Sequence, residues 1–107
     1  MKINILGTEY TITEANETTE PNLTGVDGYC DPSVKEIVVD TMDEVGVGFK
    51  KNLQQYKDQV IRHEIIHAFL NESGLAECSW GANEEMVDWI AIQSPKIVKA
   101  FEEAGVL

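Results

Sequence analysis

Between residues 53 and 70, Leu53, Tyr56, Val60, His63, His67 and Leu70 recur at steps of three and four, the spacing that lines side chains along one face of a helix. Gln54, Gln55, Lys57, Asp58 and Arg62 occupy the polar positions around that stripe. Asn71-Glu72-Ser73-Gly74 then supplies a stop signal, with Gly74 suited to the left-handed residue that follows a helix. The pattern predicts a helix over roughly residues 52–72, whose inward stripe includes both histidines. Gly81-Ala82-Asn83 is turn chemistry leading into a second amphipathic run from Glu84 to Ala91, with Asn83 as its N-cap. Ser94-Pro95 reads as the start of a third helix, Ser94 capping and Pro95 in the first turn, carrying Ile97, Val98, Phe101 and Val106.

The first forty residues follow a different period. Residues 2–13 predict a strand pair turning at Gly7-Thr8, followed by a polar loop from Glu14 to Asn22 that contains Pro21. Val26–Cys30 and Glu36–Thr41 predict a hairpin joined through Asp31-Pro32-Ser33, with Ile37-Val38-Val39 a continuous apolar run suited to a buried strand. Asp43–Gly48 reads as a loop. Together these give a single α+β domain spanning residues 1–107: a small twisted sheet of three to four strands stacked on the helix at 52–72, with two further helices closing the other side. Trp80 and Trp89 are expected to pack in the core or at its rim.

The chemistry is concentrated in His63-Glu64-Ile65-Ile66-His67. These are the only two histidines of the chain, four residues apart with a glutamate directly after the first. On a helix they share one face, so both imidazoles can reach one metal ion while Glu64 projects beside it. A catalytic zinc takes three protein ligands and keeps a fourth position for water, so a further donor is needed. Glu84 is the candidate, with the adjacent Glu85 as the alternative. Asp88, four residues after Glu84, is suited to accept the outer N–H of a histidine ligand and fix its tautomer. Leu70 and Ser73 stand where the longer HExxHxxGxxH pattern requires glycine and a third histidine, so that pattern is excluded.

With those residues the chain resembles the zincin metallopeptidases that use a glutamate as third ligand. Asn83-Glu84 followed by Asp88 looks like the NExxxD segment of thermolysin-like enzymes. The overall order is more similar to short phage-type and ImmA/IrrE-like metallopeptidases: a hairpin, the HExxH helix Arg62 to Phe69, then the helix Glu84 to Ala91. The resemblance covers about residues 25–95, and its specific part is the HExxH with the downstream glutamate. It implies a minimal zincin-like fold and a polypeptide bound by strand addition along the segment Val26–Cys30. It also suits a phage or repressor-regulatory module that cleaves only one partner.

The function expected from these residues is zinc-dependent peptide hydrolysis, with zinc on His63, His67 and Glu84. Glu64 is the catalytic residue, taking a proton from water and passing it to the leaving amine. Tyr29, Arg62 or backbone N–H groups remain open as donors to the oxyanion. The competing reading is a zincin-like, metal-containing interaction module with no hydrolysis or hydrolysis restricted to one partner; Glu64 argues against it, because a structural metal site has no use for a general base.

Composition narrows the partners. The formal net charge is −11 and Arg62 is the only arginine, which excludes a phosphate backbone as partner. The acidic residues are spread along the chain as a solubilising surface. A polypeptide substrate or partner protein remains. The N-terminal stretch alternates too early for a signal-peptide core, and no window has transmembrane length, so a cytoplasmic protein without a membrane partner is expected. Cys30 and Cys78 then read as reduced thiols.

Overall fold

The computed structural model describes residues 1–43 and 51–107. Its first two strands, β1 (Lys2–Ile5) and β2 (Thr8–Ala15), form the expected hairpin. Leu6 and Gly7 both have positive φ, 51° and 91°, the geometry whose twist matches that of paired strands. The Asn4 side chain accepts the Gly7 N–H at 2.9 Å and braces the turn. A 3₁₀ turn at Pro21–Leu23 leads to β3 (Gly28–Asp31) and β4 (Glu36–Asp40), joined where the Asp31 carboxylate accepts the Ser33 N–H.

The two hairpins merge into one mixed sheet of order β1-β2-β4-β3. Hairpin pairs are antiparallel, whereas β2 and β4 run parallel, in register from Thr11 opposite Glu36 to Ala15 opposite Asp40. This leaves β3 at an edge. Ile5, Tyr10, Ile12, Ile37 and Val39 form the core with Val60 and Ala68. Val38 lies on the other face of β4; that face is covered by the 3₁₀ turn, where Leu23 is also buried. The apolar run in β4 is therefore explained by cover on both faces.

Helix α1 (Leu53–Glu72) starts at Asn52, whose side chain accepts the Gln55 N–H, and is followed by Gly74 at φ 79°. Its most buried stripe is Val60, Glu64 and Ala68, one turn apart, rather than the stripe holding the histidines. The reason is that α1 is covered on two sides: the sheet takes the Val60/Glu64/Ala68 face, and the next helix takes the flank with His63 and His67. At its C-terminal end Glu72 accepts from Lys35 Nζ at 2.7 Å, Tyr10 Oη at 2.9 Å and Thr8 Oγ1 at 3.3 Å, pinning the helix to β2 and the β3–β4 turn. The Lys35 and Tyr10 hydrogen bonds hold the Glu72 carboxyl below its ordinary range.

The expectation of two further helices is corrected. A single helix, α2 (Glu84–Glu103), runs through Ser94 and Pro95 without a break. Proline has no N–H, so the Ala91 carbonyl four residues back loses its helical donor. Arg62 replaces it: Nε donates to that carbonyl at 2.6 Å. A tertiary hydrogen bond thus allows an interior proline that the local pattern reads as a helix start. Trp80 and Trp89 are 50% and 57% exposed, so neither lies in the core, and only the rim half of that expectation stands. The expected loop at Asp43–Gly48 falls, beyond Asp43, outside the described residues. Among those described, no helix is long and apolar enough to cross a membrane.

Candidate metal centre

His63 and His67 lie one turn apart on the flank of α1 that faces α2, and the fold brings one carboxylate against both. Their Nε2 atoms are 3.1 Å apart, with the rings edge to face. Glu84, in the first turn of α2, sets Oε2 at 3.1 Å from His63 Nε2 and Oε1 at 3.0 Å from His67 Nε2. The start of α2 is fixed by Asn83, whose side chain accepts the Met86 N–H at 3.1 Å. One turn on, Asp88 Oδ1 is 2.7 Å from His63 Nδ1. A carboxylate there accepts the Nδ1 proton and leaves the Nε2 lone pair directed at the cluster.

Among the described residues, His63, His67 and Glu84 are the group whose ligand atoms converge enough to hold a metal ion. A tetrahedral zinc with bonds of about 2.0–2.1 Å separates its ligand atoms by roughly 3.3 Å. The 3.1 Å between the two Nε2 atoms is close to that edge, and each Glu84 oxygen lies 3.0–3.1 Å from one of them. Burial lowers the His67 pKa from its ordinary value and so favours the neutral imidazole that a metal requires. Two lone pairs and a carboxylate pointed at one another repel unless a cation or a proton lies between them, so the donor set fits a divalent ion. Among the described residues, the ion pairs of the two histidines go to Glu84 and Asp88 and none to Glu85, in keeping with the turn of about 100° between neighbouring helical residues.

Glu64 faces the other way, toward the sheet. It is only 6% exposed, and burial pushes its carboxyl up to about 7, with the Glu84 and Asp88 charges adding to the rise and His63 opposing it. Its oxygens have no hydrogen-bond partner among the described residues. The carboxyl lines a cleft of about 230 Å³ between α1 and the edge strand, which Asp27, Gly28, Tyr56, His63 and Asp88 also line. Gly28 makes this close approach possible: a Cβ there would lie 2.9 Å from Val60 Cγ1 and 3.1 Å from the Val38 carbonyl.

Of the two side chains considered from sequence as donors to an oxyanion, neither lines the cleft, which leaves backbone N–H groups as the remaining candidates. Tyr29 alternates to the opposite face of β3, away from Gly28 and the cleft, where burial and the nearby Glu20 raise its pKa, and Arg62 is committed to Ala91. Tyr56, which the sequence reading treated only as part of the helical stripe, lines the cleft and donates to Asp27. Its position seven residues before His63, two turns along the same face, was the available signal. Cys30 packs against the core with its thiol pushed up to about 11 by burial, and Cys78 is exposed; both are free. In comparisons with family models, curated proteins and solved structures, the chain has no match.

Proposed function

We propose that the protein is a zinc-dependent, zincin-like metallopeptidase whose metal is held by His63, His67 and Glu84. The observation that carries this reading is the convergence of two imidazole Nε2 atoms and one carboxylate at 3.0–3.1 Å, with a separate, unpartnered glutamate beside them. When bound, zinc supplies Lewis acidity, bringing a water toward ionisation at neutral pH and polarising a carbonyl.

The chain's own residues account for the remaining work. Asp88 holds the proton on His63 Nδ1 and so keeps Nε2 available as a ligand. Glu64 is the general base: being the next residue round the helix from His63, it lies outside the donor set, and its carboxyl can take a proton from water in the cleft and return it to a leaving amine. Edge strand β3, paired on one side only among the described residues, offers backbone groups to an extended polypeptide running past Glu64. Phage- or repressor-type restriction to one partner is the narrower form of the same proposal.

The test is metal content followed by separation of roles. Protein purified without added metal should contain about one zinc per chain, and Glu64→Gln should keep that zinc while losing peptide hydrolysis. Absence of any divalent metal together with no uptake on titration would sink the enzyme reading. Loss of the metal in Glu64→Gln would make Glu64 a ligand. Full zinc uptake with no hydrolysis of any polypeptide would favour the interaction module.

A further inference from the structure

The cleft beside Glu64 carries negative charge that the proposed hydrolysis does not need. Asp27, at the entry to edge strand β3, lines it together with Asp88, and among the described residues no lysine or arginine lines it. The two cations nearest on α1 are held elsewhere: Lys57 pairs with Glu14 at 3.0 Å, and Arg62 is bound to the Ala91 carbonyl. Even with a divalent ion held by Glu84, the three carboxylates of Asp27, Asp88 and Glu84 formally outweigh its two positive charges, without counting Glu64. The Asp27 carboxylate is also held in place, because Tyr56, packed against the core, donates its hydroxyl to it. A second, independent observation points to a ligand here: Glu64, nine-tenths buried, ends in the same cleft without a hydrogen-bond partner.

We propose that this cleft takes a cationic side chain, lysine or arginine, from an extended polypeptide, and that Asp27, anchored by Tyr56, is the residue that selects it. The proposal rests on the reading of this groove as a peptide site. It adds that a bound chain presents its basic residue to Asp27 and that an acidic residue there is rejected by like charge. Hydrolysis, where it occurs, should then fall close to a basic residue.

The test uses three end-capped, fluorescently labelled hexapeptides of alanine and serine that differ at one central position: lysine, norleucine or glutamate. Their affinities for the full chain are read by fluorescence anisotropy in the presence of a chelator, so that no hydrolysis intervenes. The lysine peptide should bind about fivefold more tightly than norleucine, the limit for a partly exposed ion pair, and glutamate more weakly than both. Asp27→Asn, which keeps an acceptor for Tyr56, should erase the lysine advantage, and Asp27→Glu should retain much of it. Equal binding of the three peptides, no binding of any, or a lysine preference that survives Asp27→Asn would overturn the proposal. Zinc uptake, measured separately, distinguishes the two readings. Lysine-selective binding without zinc uptake would end the peptidase reading alone, and zinc uptake without lysine selection would end this one alone.

Discussion

Arg62→Met should expose how α2 tolerates Pro95. The variant keeps an unbranched apolar stem and removes the donor that meets the Ala91 carbonyl at 2.6 Å. Ala91 is 1% exposed, so its carbonyl is left buried without a partner, at a cost of about 1–3 kcal/mol. Taking about 2 kcal/mol, and about 4–8 °C per kcal/mol for a domain near this size, Tm should fall by roughly 10 °C. The deciding comparison is the double-mutant cycle with Pro95→Ala. Alanine restores the helical N–H, so in that background the carbonyl is satisfied and Arg62→Met should cost less than about 1 kcal/mol. Urea unfolding followed by circular dichroism, in metal-free buffer, gives the four stabilities. Additivity within about 0.5 kcal/mol would refute the idea that Arg62 replaces the donor proline lacks. The same clamp orients the start of α2, so Arg62→Met should also weaken zinc binding in the wild-type Pro95 background, and Pro95→Ala should restore part of it.

Glu84→Gln should weaken zinc affinity and shrink the thermal shift produced by a chelator, whereas Glu85→Gln should leave both near wild type; metal at a hundredfold excess over Kd stabilises by about 2.7 kcal/mol, which is ample signal for calorimetry. The reverse pattern would make Glu85 the ligand. Gly28→Ala should cost about 1–3 kcal/mol by pushing β3 off Val60 and the Val38 carbonyl, and Val60→Ala in the same chain should recover part of it, since the carbonyl contact at 3.1 Å remains; an unchanged Tm for Gly28→Ala would show that the strand can move at no cost. Glu72, held by Lys35 and Tyr10 below its ordinary value of 4.5, stabilises the fold fully above that pH, and its contribution fades as pH falls through the lower folded-state value. Stability measured through this window should therefore fall less steeply in Glu72→Gln than in wild type, and equal slopes would argue against the Lys35–Tyr10–Glu72 cluster.

The sequence by itself determined the local elements and most of the candidate centre, because both are written in short-range patterns. The three-and-four spacing, Asn52 and Gly74 bound α1. Gly7 marks the first hairpin, although its turn lies at Leu6-Gly7, one residue before the Gly7-Thr8 position the pattern suggests, and Asn83 sets the start of α2 one residue before Glu84. His63 and His67 are neighbours on any helix, and Glu84 with Asp88 likewise, so each half of the cluster was legible without knowing where the other lies. What only the tertiary structure decided is how separate pieces meet. The parallel pairing of β2 with β4 joins strands that no turn connects, and it is this pairing that leaves β3 at the edge. Cover on two sides moved the buried stripe of α1 to Val60, Glu64 and Ala68, and so put Glu64 under the sheet. Pro95 inside α2 depends on an arginine 33 residues away in sequence and on another helix. Local periodicity cannot contain that information, since a hydrogen bond between helices is fixed by packing and a missing backbone donor can be replaced from anywhere the fold brings close.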